Sequence, residues 1–418
     1  MSFEHKRGRL HAEAVEVDAL AELFGSPLYV YSAAALRASY AALAGAFPAS
    51  TRILYSLKAN SNWHVAAVLR ECGAGAELAS IGELGLAQRA GVTPSHMVFA
   101  GPAKRDHELR AWMLADGGLL NLESLHEAQR ASRIATELGR TVDVALRVNP
   151  RERNVDAKMA MGGKPLPFGI DEDQLPQVAS AVDALPGLKL RGIHVYSGSQ
   201  VLDAAAAAST MSTAIDFVDL YREVVGRPCE VIDVGLGLGV PTFPDEAALD
   251  LDALRTHMTR VLARLPASCQ LHIEAGRFLV ASAGIYVSTV VDVKESHGSR
   301  FVVTDGGMHH HSAAAGGFGN VFRRQYRVVP TVDAAPDARP SIVVGPLCTP
   351  MDRFGSYALP LLEPGARIAT LVSGAYGYSC GHLLFLSHAT PAEVLVDGSD
   401  VRLIREPATT AGLFTPAS

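Results

Sequence analysis

The sequence has no excess of positive charge, few cysteines and no long hydrophobic run, and each absence excludes a class of protein. Its 418 residues include 37 Lys and Arg against 43 Asp and Glu, which gives a formal net charge of −6. A protein that mainly binds nucleic acid needs a basic surface, so this charge argues against such a partner. The five cysteines, at positions 72, 229, 269, 348 and 380, are odd in number and scattered. Their spacing predicts neither a disulfide framework nor a metal site.

Membrane insertion and secretion are not indicated either. The longest apolar stretch, residues 278–291, is too short and too polar to span a membrane. The first ten residues, MSFEHKRGRL, are charged where a signal peptide needs an apolar core. With 48% hydrophobic and 19% charged residues, the chain can bury a large core. We therefore expect a folded cytoplasmic protein with no membrane partner.

Short apolar runs rich in β-branched residues recur along the first two thirds of the chain. The segments between them, such as 61–72, 80–91, 123–138 and 246–265, are rich in Ala, Leu, Glu and Arg and are typical of helices. Strands that alternate with helices predict a parallel sheet, and eight repeats fit a closed (β/α)8 barrel better than an open sheet. The eight predicted strands span residues 52–57, 74–79, 97–100, 118–121, 142–148, 190–196, 230–234 and 270–274.

The pattern changes after residue 280, where short strands follow one another without an obvious long helix. These strands are predicted at 285–294, 300–304, 326–330, 341–344, 367–372 and 393–396. The N-terminal segment GSPLYVYS is a further strand that could join them. The sequence therefore predicts an α/β fold in two domains. Residues 35–280 form a (β/α)8 barrel, and residues 1–34 and 281–418 form a mostly β domain.

Polar residues and glycines stand at the carboxyl ends of the predicted barrel strands, where such barrels place their active sites. They are Lys58, Glu77, Ser80, Asn149, His194, Tyr196, Ser199, Gly235, Gly237, Gly239, Glu274 and Arg277. A desolvated lysine has a lowered pKa and can form a Schiff base. The alternative for Lys58 is an ordinary lysine that reaches water from a strand end.

The segment VGLGLGV and the eighth strand complete the pattern. Glycines such as Gly237 let backbone N–H groups approach an anion, and their place in the barrel matches the common phosphate site. An ordinary tight turn is the alternative. Glu274 could pair with a protonated ring nitrogen and Arg277 with a phosphate, or the two could form a structural ion pair. A lysine, a phosphate loop and such a carboxylate together indicate a pyridoxal-phosphate site.

Eight motifs, in order, resemble those of the fold-type III pyridoxal-phosphate decarboxylases, the family of diaminopimelate and ornithine decarboxylases. They are YSLKAN, the GSQ of HVYSGSQ, GLGLG, EAGR, TDGGM, GPLC, GAYG and PAEVLVDG. The motifs extend from about residue 28 to residue 398, which is nearly the whole chain.

The resemblance implies pyridoxal 5′-phosphate as cofactor and a homodimer with shared active sites. Lys58 would form the Schiff base, and Glu274 would pair with the ring nitrogen. The phosphate would be held by Ser199, Gly237, Arg277 and Tyr376. Cys348 would come from the partner subunit and return a proton to the substrate carbon after CO₂ leaves. His194 and Tyr196 are further candidates at the cofactor, although a satisfied core histidine is an equal alternative for His194.

Two departures bear on the substrate. Tyr196 stands where the family usually has a histidine on the face of the ring. Thr349 stands where it has an acidic residue for the substrate's distal ammonium, and Asp352 is the nearest possible replacement. Other segments, such as TDGGMHHH and GGFGNVFRRQY, resemble a branch of specialised metabolism. That branch includes siderophore-pathway decarboxylases and one that acts on a glutamyl group on an acyl carrier protein.

We therefore expect an amino-acid decarboxylase of siderophore or antibiotic biosynthesis. Diaminopimelate decarboxylation is the first alternative, and a racemase or a non-catalytic regulatory relative are others. Arg323 and Arg324 could grip a distal carboxylate or could be a solvated basic pair. No metal is expected at residues 309–311, because adjacent histidines on a strand point to opposite faces.

Overall fold

The computed structural model describes residues 3–151, 159–160, 166–196, 198–317, 324–333 and 337–409. The chain divides into two compact units. The barrel unit comprises Ser39–Val240 and Ala247–Phe278. The β unit comprises Met1–Ala38, Pro241–Glu246 and Leu279–Ser418.

The barrel unit contains a closed ring of parallel strands. Consecutive strands pair in chain order, the fourth pairs with the fifth, and the eighth pairs with the first to close the ring. The eight strands are Arg52–Ser56, Gly75–Leu78, Met97–Phe99, Leu119–Leu122, Val142–Asn149, Leu188–Tyr196, Val231–Gly235 and Gln270–Ala275. The predicted barrel is therefore confirmed.

These strands are nearly continuous apolar runs because the sheet is covered on both faces. In the fifth strand, seven of the eight residues from Val142 to Asn149 are buried. Three shorter strands accompany the ring, at Met159–Ala160, Ile170–Asp171 and Gly198–Ser199. The last of these pairs with the first, just after the sixth barrel strand ends.

Helices separate the barrel strands, and several begin at a capping side chain. Ser80, Ser124 and Asp203 each accept a hydrogen bond from a backbone N–H three residues later. The α-helices from residue 63 onward are Trp63–Glu71, Ile81–Arg89, Asp106–Leu114, Leu125–Glu137, Leu175–Asp183, Ala204–Val225, Leu251–Leu262 and Arg277–Val280. Short 3₁₀ turns lie at Leu57–Ala59, Pro94–His96, Glu172–Gln174, Ala281–Ala283, Tyr378–Cys380 and Phe385–Ser387.

The β unit is built around one mixed sheet. Its central strand Leu28–Ser32, predicted from GSPLYVYS, is fully buried and pairs with Gly284–Ser296 on one side and Ala392–Asp397 on the other. In order across the sheet the strands are Arg353–Leu359, Arg339–Val344, Ser299–Thr304, Gly284–Ser296, Leu28–Ser32, Ala392–Asp397 and Asp400–Arg405. Arg367–Thr370 also pairs with Gly284–Ser296, and Val328–Pro330 pairs with Arg367–Thr370.

A small N-terminal sheet packs in the same unit. It consists of Phe3–Lys6, Arg9–Ala12 and Val15–Glu16, and the helices Val17–Phe24 and Ala33–Ala44 follow. Leu10, Val17 and Leu20 join the core formed by the central strand. Within the described part of the chain, no helix has the length and apolar character needed to cross a bilayer.

Candidate active site

Lys58 lies in the 3₁₀ turn directly after the first barrel strand. Its Nζ is 2.9 and 3.1 Å from the two carboxylate oxygens of Glu77, which lies in the second strand. The Glu77 side chain is 1% exposed, whereas that of Lys58 is 38% exposed. A buried carboxylate therefore holds an amine that is still accessible to a ligand.

Tyr196 ends the sixth strand and lies near two cations. The centre of its ring is 5.4 Å from Lys58 Nζ and 5.9 Å from the guanidinium carbon of Arg147. The register places Tyr196 beside Gly235 on the seventh strand. A Cβ on Gly235 would lie 2.0 Å from the Tyr196 ring, so only glycine admits the ring here. Burial raises the pKa of the Tyr196 phenol, which keeps it neutral.

Two backbone loops meet just beyond the sixth and seventh strands. Val201 donates its N–H to the carbonyl of Gly237, and Gly239 donates to the carbonyl of Val201, both at 2.9 Å. Gly237 has a φ of 63°, and a Cβ there would lie 1.9 Å from the carbonyl oxygen of Gly198. Glycine is therefore required both by conformation and by the close approach of the two loops. Ser199 lies beside this contact, and Arg277 begins the short helix after the eighth strand.

Glu274 and His194 face each other at the buried centre of the barrel. His194 Nε2 is 3.2 Å from Glu274 Oε1, and both side chains are 2% exposed. Burial raises the pKa of Glu274, but the charges of His194, Lys58 and Arg147 outweigh burial and hold that pKa below its ordinary value. Glu274 is therefore an ionised carboxylate at neutral pH.

Sequence reasoning missed the residues that lie next to this pair. Asp233, two residues before Gly235, is 0% exposed, and its Oδ2 accepts a hydrogen bond from Asn121 at 2.8 Å. Asn121 lies in the fourth strand. The sequence does mark Asp233 as unusual, because it is a charged residue inside the apolar run VIDVG. Its partner is 112 positions away, and no local pattern identifies it.

A buried ionic network supports Arg147 and was also missed. Arg147 Nη1 is 2.7 Å from Glu123, and both side chains are under 10% exposed. Nearby in the chain, Lys104 Nζ is 2.7 Å from Glu127, also with both side chains buried. Glu123 further accepts backbone N–H groups from Gly101 and Gly169. These contacts fix the guanidinium that lies beside Tyr196.

The remaining cofactor and catalytic candidates lie in the β unit. Cys348 is exposed and Thr349 is half-buried. Tyr376 has a φ of 55° in the GAYG loop. Asp352 is 3% exposed, and its two carboxylate oxygens accept backbone N–H groups from Met308 at 2.6 Å and Leu347 at 2.9 Å. Asp352 thus ties the GPLC loop to the TDGGM segment.

Arg323 lies outside the described residues, whereas Arg324 is placed clearly. Its guanidinium forms ion pairs with Asp245 and with Glu246, the latter at 3.0 Å, and lies 4.4 Å from the ring centre of Phe243. The charge of Arg324 is therefore already matched by carboxylates of its own unit.

The three adjacent histidines are buried, but the expectation that they lie on a strand is wrong. Residues 308–310 form a turn after the strand Ser299–Thr304. His310 contacts the Tyr286 hydroxyl and the Ala389 carbonyl, and His311 contacts Ser373. The centre of the His309 ring is 3.7 Å from that of His310 and 4.9 Å from that of His388, and the rings are tilted to one another. The rings of His309 and His310 contact each other, and His310 and His311 both contact Tyr286.

The barrel residues fit pyridoxal phosphate. This cofactor needs an amine, an anion opposite its ring nitrogen and a loop for its phosphate. Lys58 offers the amine, Glu274 offers the anion, and the Gly237 region offers the loop. Glu274 Oε1 accepts no hydrogen bond from the described residues, although His194 lies close to it. A buried carboxylate oxygen of this kind suits a protonated ring nitrogen.

Comparison with known proteins supports the same assignment. Residues 33–281 match the family model described as "Pyridoxal-dependent decarboxylase, pyridoxal binding domain". The chain is 35% identical to an L-glutamyl-[BtrI acyl-carrier protein] decarboxylase from Niallia circulans, over 96% of this chain and 95% of the relative. It is 29% identical to a 2-[(L-alanin-3-ylcarbamoyl)methyl]-2-hydroxybutanedioate decarboxylase from Staphylococcus aureus, over 87% and 92%.

A solved structure resembles the whole chain. The diaminopimelate decarboxylase of M. jannaschii, in complex with L-lysine, superimposes with a TM-score of 0.91 at 28% identity, covering 99% of this chain and 98% of that one. The matched family model covers more than half of the sequence, and the named relatives are decarboxylases. The chain therefore belongs to the fold-type III pyridoxal-phosphate-dependent decarboxylases and is a carboxy-lyase that uses pyridoxal phosphate.

Proposed function

We propose that this enzyme removes the α-carboxylate of an acidic amino-acid group held in a conjugate, in the biosynthesis of a siderophore or an antibiotic. The proposal rests mainly on the residue that follows Cys348. This residue is Thr349, which has a hydroxyl group instead of a carboxylate. A substrate with a distal ammonium would lose its counter-charge at this position, at a cost of several kcal/mol if the group is desolvated.

Asp352 does not replace the missing carboxylate. Both of its oxygens accept backbone N–H groups, and the side chain is almost fully buried. Burial raises the pKa of Asp352 above its ordinary value, which further weakens it as a counter-charge for an ammonium group. This supports a substrate whose distal part is acidic or an amide.

The relatives support the same substrate class. The name of the Niallia circulans relative specifies a glutamyl group on an acyl carrier protein. The name of the Staphylococcus aureus relative specifies an amide conjugate of a hydroxylated dicarboxylic acid. In neither name is the distal part of the substrate a free amine. We infer that the substrate here is of this kind, free or carrier-bound.

The described residues suggest how the reaction proceeds. Pyridoxal phosphate, when bound, supplies the electron sink for the pair of electrons left when the α-carboxylate departs as CO₂. Lys58 would hold the cofactor through its amine, and Glu77 would keep that amine in place. Glu274 would hold the proton on the ring nitrogen. Ser199, Gly237, Arg277 and Tyr376 would bind the phosphate.

The proton that replaces CO₂ would come from Cys348. The thiol is exposed in the single chain. We propose that it acts across a homodimer, so that the cysteine of each subunit serves the barrel of the other. Tyr196 would cover the cofactor ring and exclude water from the reacting carbon.

A substrate panel tests the proposal. CO₂ release should be measured from a glutamyl group on a carrier protein, a citryl-type conjugate, meso-diaminopimelate, ornithine, lysine, arginine and free glutamate. We expect a conjugate to give the highest kcat/KM. If meso-diaminopimelate gives the highest value, the enzyme is a diaminopimelate decarboxylase, which the similarity to the M. jannaschii structure makes the second candidate.

A single substitution tests the role of position 349. Thr349→Glu restores an acidic side chain after Cys348, so we expect it to lower kcat/KM for the conjugate and to raise it for meso-diaminopimelate. Thr349→Ser keeps the hydroxyl and is the matched control. Equal effects of the two substitutions on every substrate would contradict the proposed role.

A further inference from the structure

Two carboxylates lie side by side at the buried centre of the barrel. Asp233 in the seventh strand is 0% exposed and Glu274 in the eighth is 4% exposed. In the strand register, Asp233 stands opposite His272, and Gly235 stands opposite Glu274. Because Gly235 has no side chain, Glu274 is free to approach Asp233. One carboxylate oxygen each of Asp233 and Glu274 and one ring nitrogen of His194 all lie within 4.8 Å of one another.

If both acids are ionised, the pair has more hydrogen-bond acceptors than its surroundings have donors. Asp233 Oδ2 accepts from Asn121, but Asp233 Oδ1 accepts nothing from the described residues. Two adjacent anions would also repel each other strongly in a buried site. A single proton shared between the two acids removes the repulsion and converts one acceptor into a donor.

The surroundings decide which acid carries the proton. Glu274 faces His194, and Lys58 and Arg147 also act on it, so its ionised form is favoured. Asp233 faces the neutral amide of Asn121 together with the anions of Glu274 and Glu77. Burial, and then the charge of Glu274, raise the pKa of Asp233 well above its ordinary value. Asp233 is the member that stays neutral.

We propose that Asp233 is a positioning residue that carries the shared proton and donates it in a hydrogen bond to Glu274. The carboxylate that serves the cofactor ring nitrogen is thereby fixed in orientation, and the pair bears one negative charge instead of two. The Asp233–Asn121 contact holds the donor in place from the opposite side of the barrel. Asp233 itself touches neither substrate nor cofactor in this role.

Infrared spectroscopy of the wild-type holoenzyme tests the protonation directly. With isotope-labelled aspartate, a buried neutral carboxyl group should give a carbonyl stretching band at pH 7 that shifts with the label and is absent from Asp233→Asn. Absence of that band in the wild type would overturn the proposal without any variant having to fold. So would a stoichiometric divalent metal ion retained by the purified protein, since Asp233 would then be a ligand.

Two substitutions test the positioning role. Asp233→Asn keeps a neutral hydrogen-bond donor, so we expect cofactor affinity and the pH dependence of the cofactor's visible absorbance to stay within about twofold of wild type. Asp233→Leu keeps the branched shape of the side chain but has no donor, so we expect at least tenfold weaker cofactor binding and a visible band whose pH dependence is shifted. Equal losses in the two variants would contradict the role of a proton donor. Lys58 is untouched in both, so cofactor attachment itself remains available.

Discussion

Lys58 combines an accessible amine with a buried counter-charge. A substitution at this position would therefore affect both the attachment of the cofactor and the stability of the fold. Removing the amine would remove the proposed covalent link to pyridoxal phosphate. It also leaves Glu77, which is 1% exposed, without its ion-pair partner. A buried carboxylate without a partner is destabilising, so loss of function and loss of stability have to be separated experimentally.

We expect Lys58→Ala to abolish the visible absorbance band of the lysine-linked cofactor and to lower the melting temperature. Lys58→Arg keeps a cation for Glu77 but cannot form the link, so it should lose the band while retaining more of the stability. Absorbance and thermal unfolding measured on the same samples check both effects.

Lys189→Ala is the control, since Lys189 forms an exposed ion pair with Glu230 at 3.4 Å. It should keep both the band and the stability. A lysine-linked band that survives in Lys58→Arg would show that another lysine carries the cofactor.

At the scale of structural elements, the contact between the two glycine-containing loops would shape the proposed phosphate site. We expect Gly237→Ala to weaken cofactor binding at least tenfold, because its Cβ would lie 1.9 Å from the Gly198 carbonyl and would push the loops apart. The dissociation constant for pyridoxal phosphate, measured by fluorescence titration, checks this.

Gly226 offers a matched control for backbone strain. It also has a positive φ, of 74°, but nothing lies within 4 Å of an added Cβ. Gly226→Ala should cost about 1 kcal/mol of stability and leave cofactor affinity unchanged. If the two alanine variants bind the cofactor equally well, the loop contact is not part of the phosphate site.

The sequence predicts elements better than it predicts contacts between them. Each of the eight barrel strands lies within two residues of its predicted bounds, because a β-branched apolar run such as 142–148 is a local signal. The pairing of Asp233 with Asn121 is not local, since it depends on which strands face each other across the barrel. The same is true of Arg147 and Glu123. The prediction that residues 309–311 lie on a strand is wrong, because the strand ends at Thr304 and two glycines, Gly306 and Gly307, precede the turn.

That histidine turn also makes the stability of the β unit depend on pH. Burial lowers the pKa of His309 and His311 to about 3, and burial lowers that of His310 to about 4. In the unfolded chain these imidazoles take up protons near pH 6.5, whereas in the fold they do so only near pH 3 to 4. The unfolded state therefore binds more protons as the pH falls through this window. The free energy of unfolding should fall by up to about 1.4 kcal/mol per pH unit for each histidine.

His309→Phe removes one of these three imidazoles and so tests its contribution to the pH dependence of stability. Both ring nitrogens of His309 lack a hydrogen-bond partner among the described residues, and the ring contacts another aromatic ring, so phenylalanine should fit. Urea unfolding at pH 7 and pH 5 should show a smaller loss of stability in this variant than in wild type. His126→Phe, which replaces an exposed histidine, should keep the wild-type difference. A loss as large in His309→Phe as in wild type would contradict the buried neutral imidazole.

At the scale of the whole molecule, the open question is whether one subunit completes the active site of another. Lys58 lies in the barrel unit and Cys348 in the β unit. If each active site takes Lys58 from one subunit and Cys348 from its partner, a mixed dimer of two inactive variants contains one site with both residues intact. If both come from the same subunit, the mixed dimer contains none.

We therefore expect Lys58→Ala and Cys348→Ala each to lose most turnover alone and to recover about a quarter of wild-type activity when their subunits are mixed and exchanged. Random exchange makes half of the dimers mixed, and each of these has one intact site of two. Sizing chromatography establishes that dimers form, and CO₂ release measures the recovery. Mixing Lys58→Ala with Lys58→Arg should restore nothing, because neither subunit supplies the amine. Recovery in the first mixture and not in the second would establish a shared site. Exchange without recovery would place both residues in the same subunit's site.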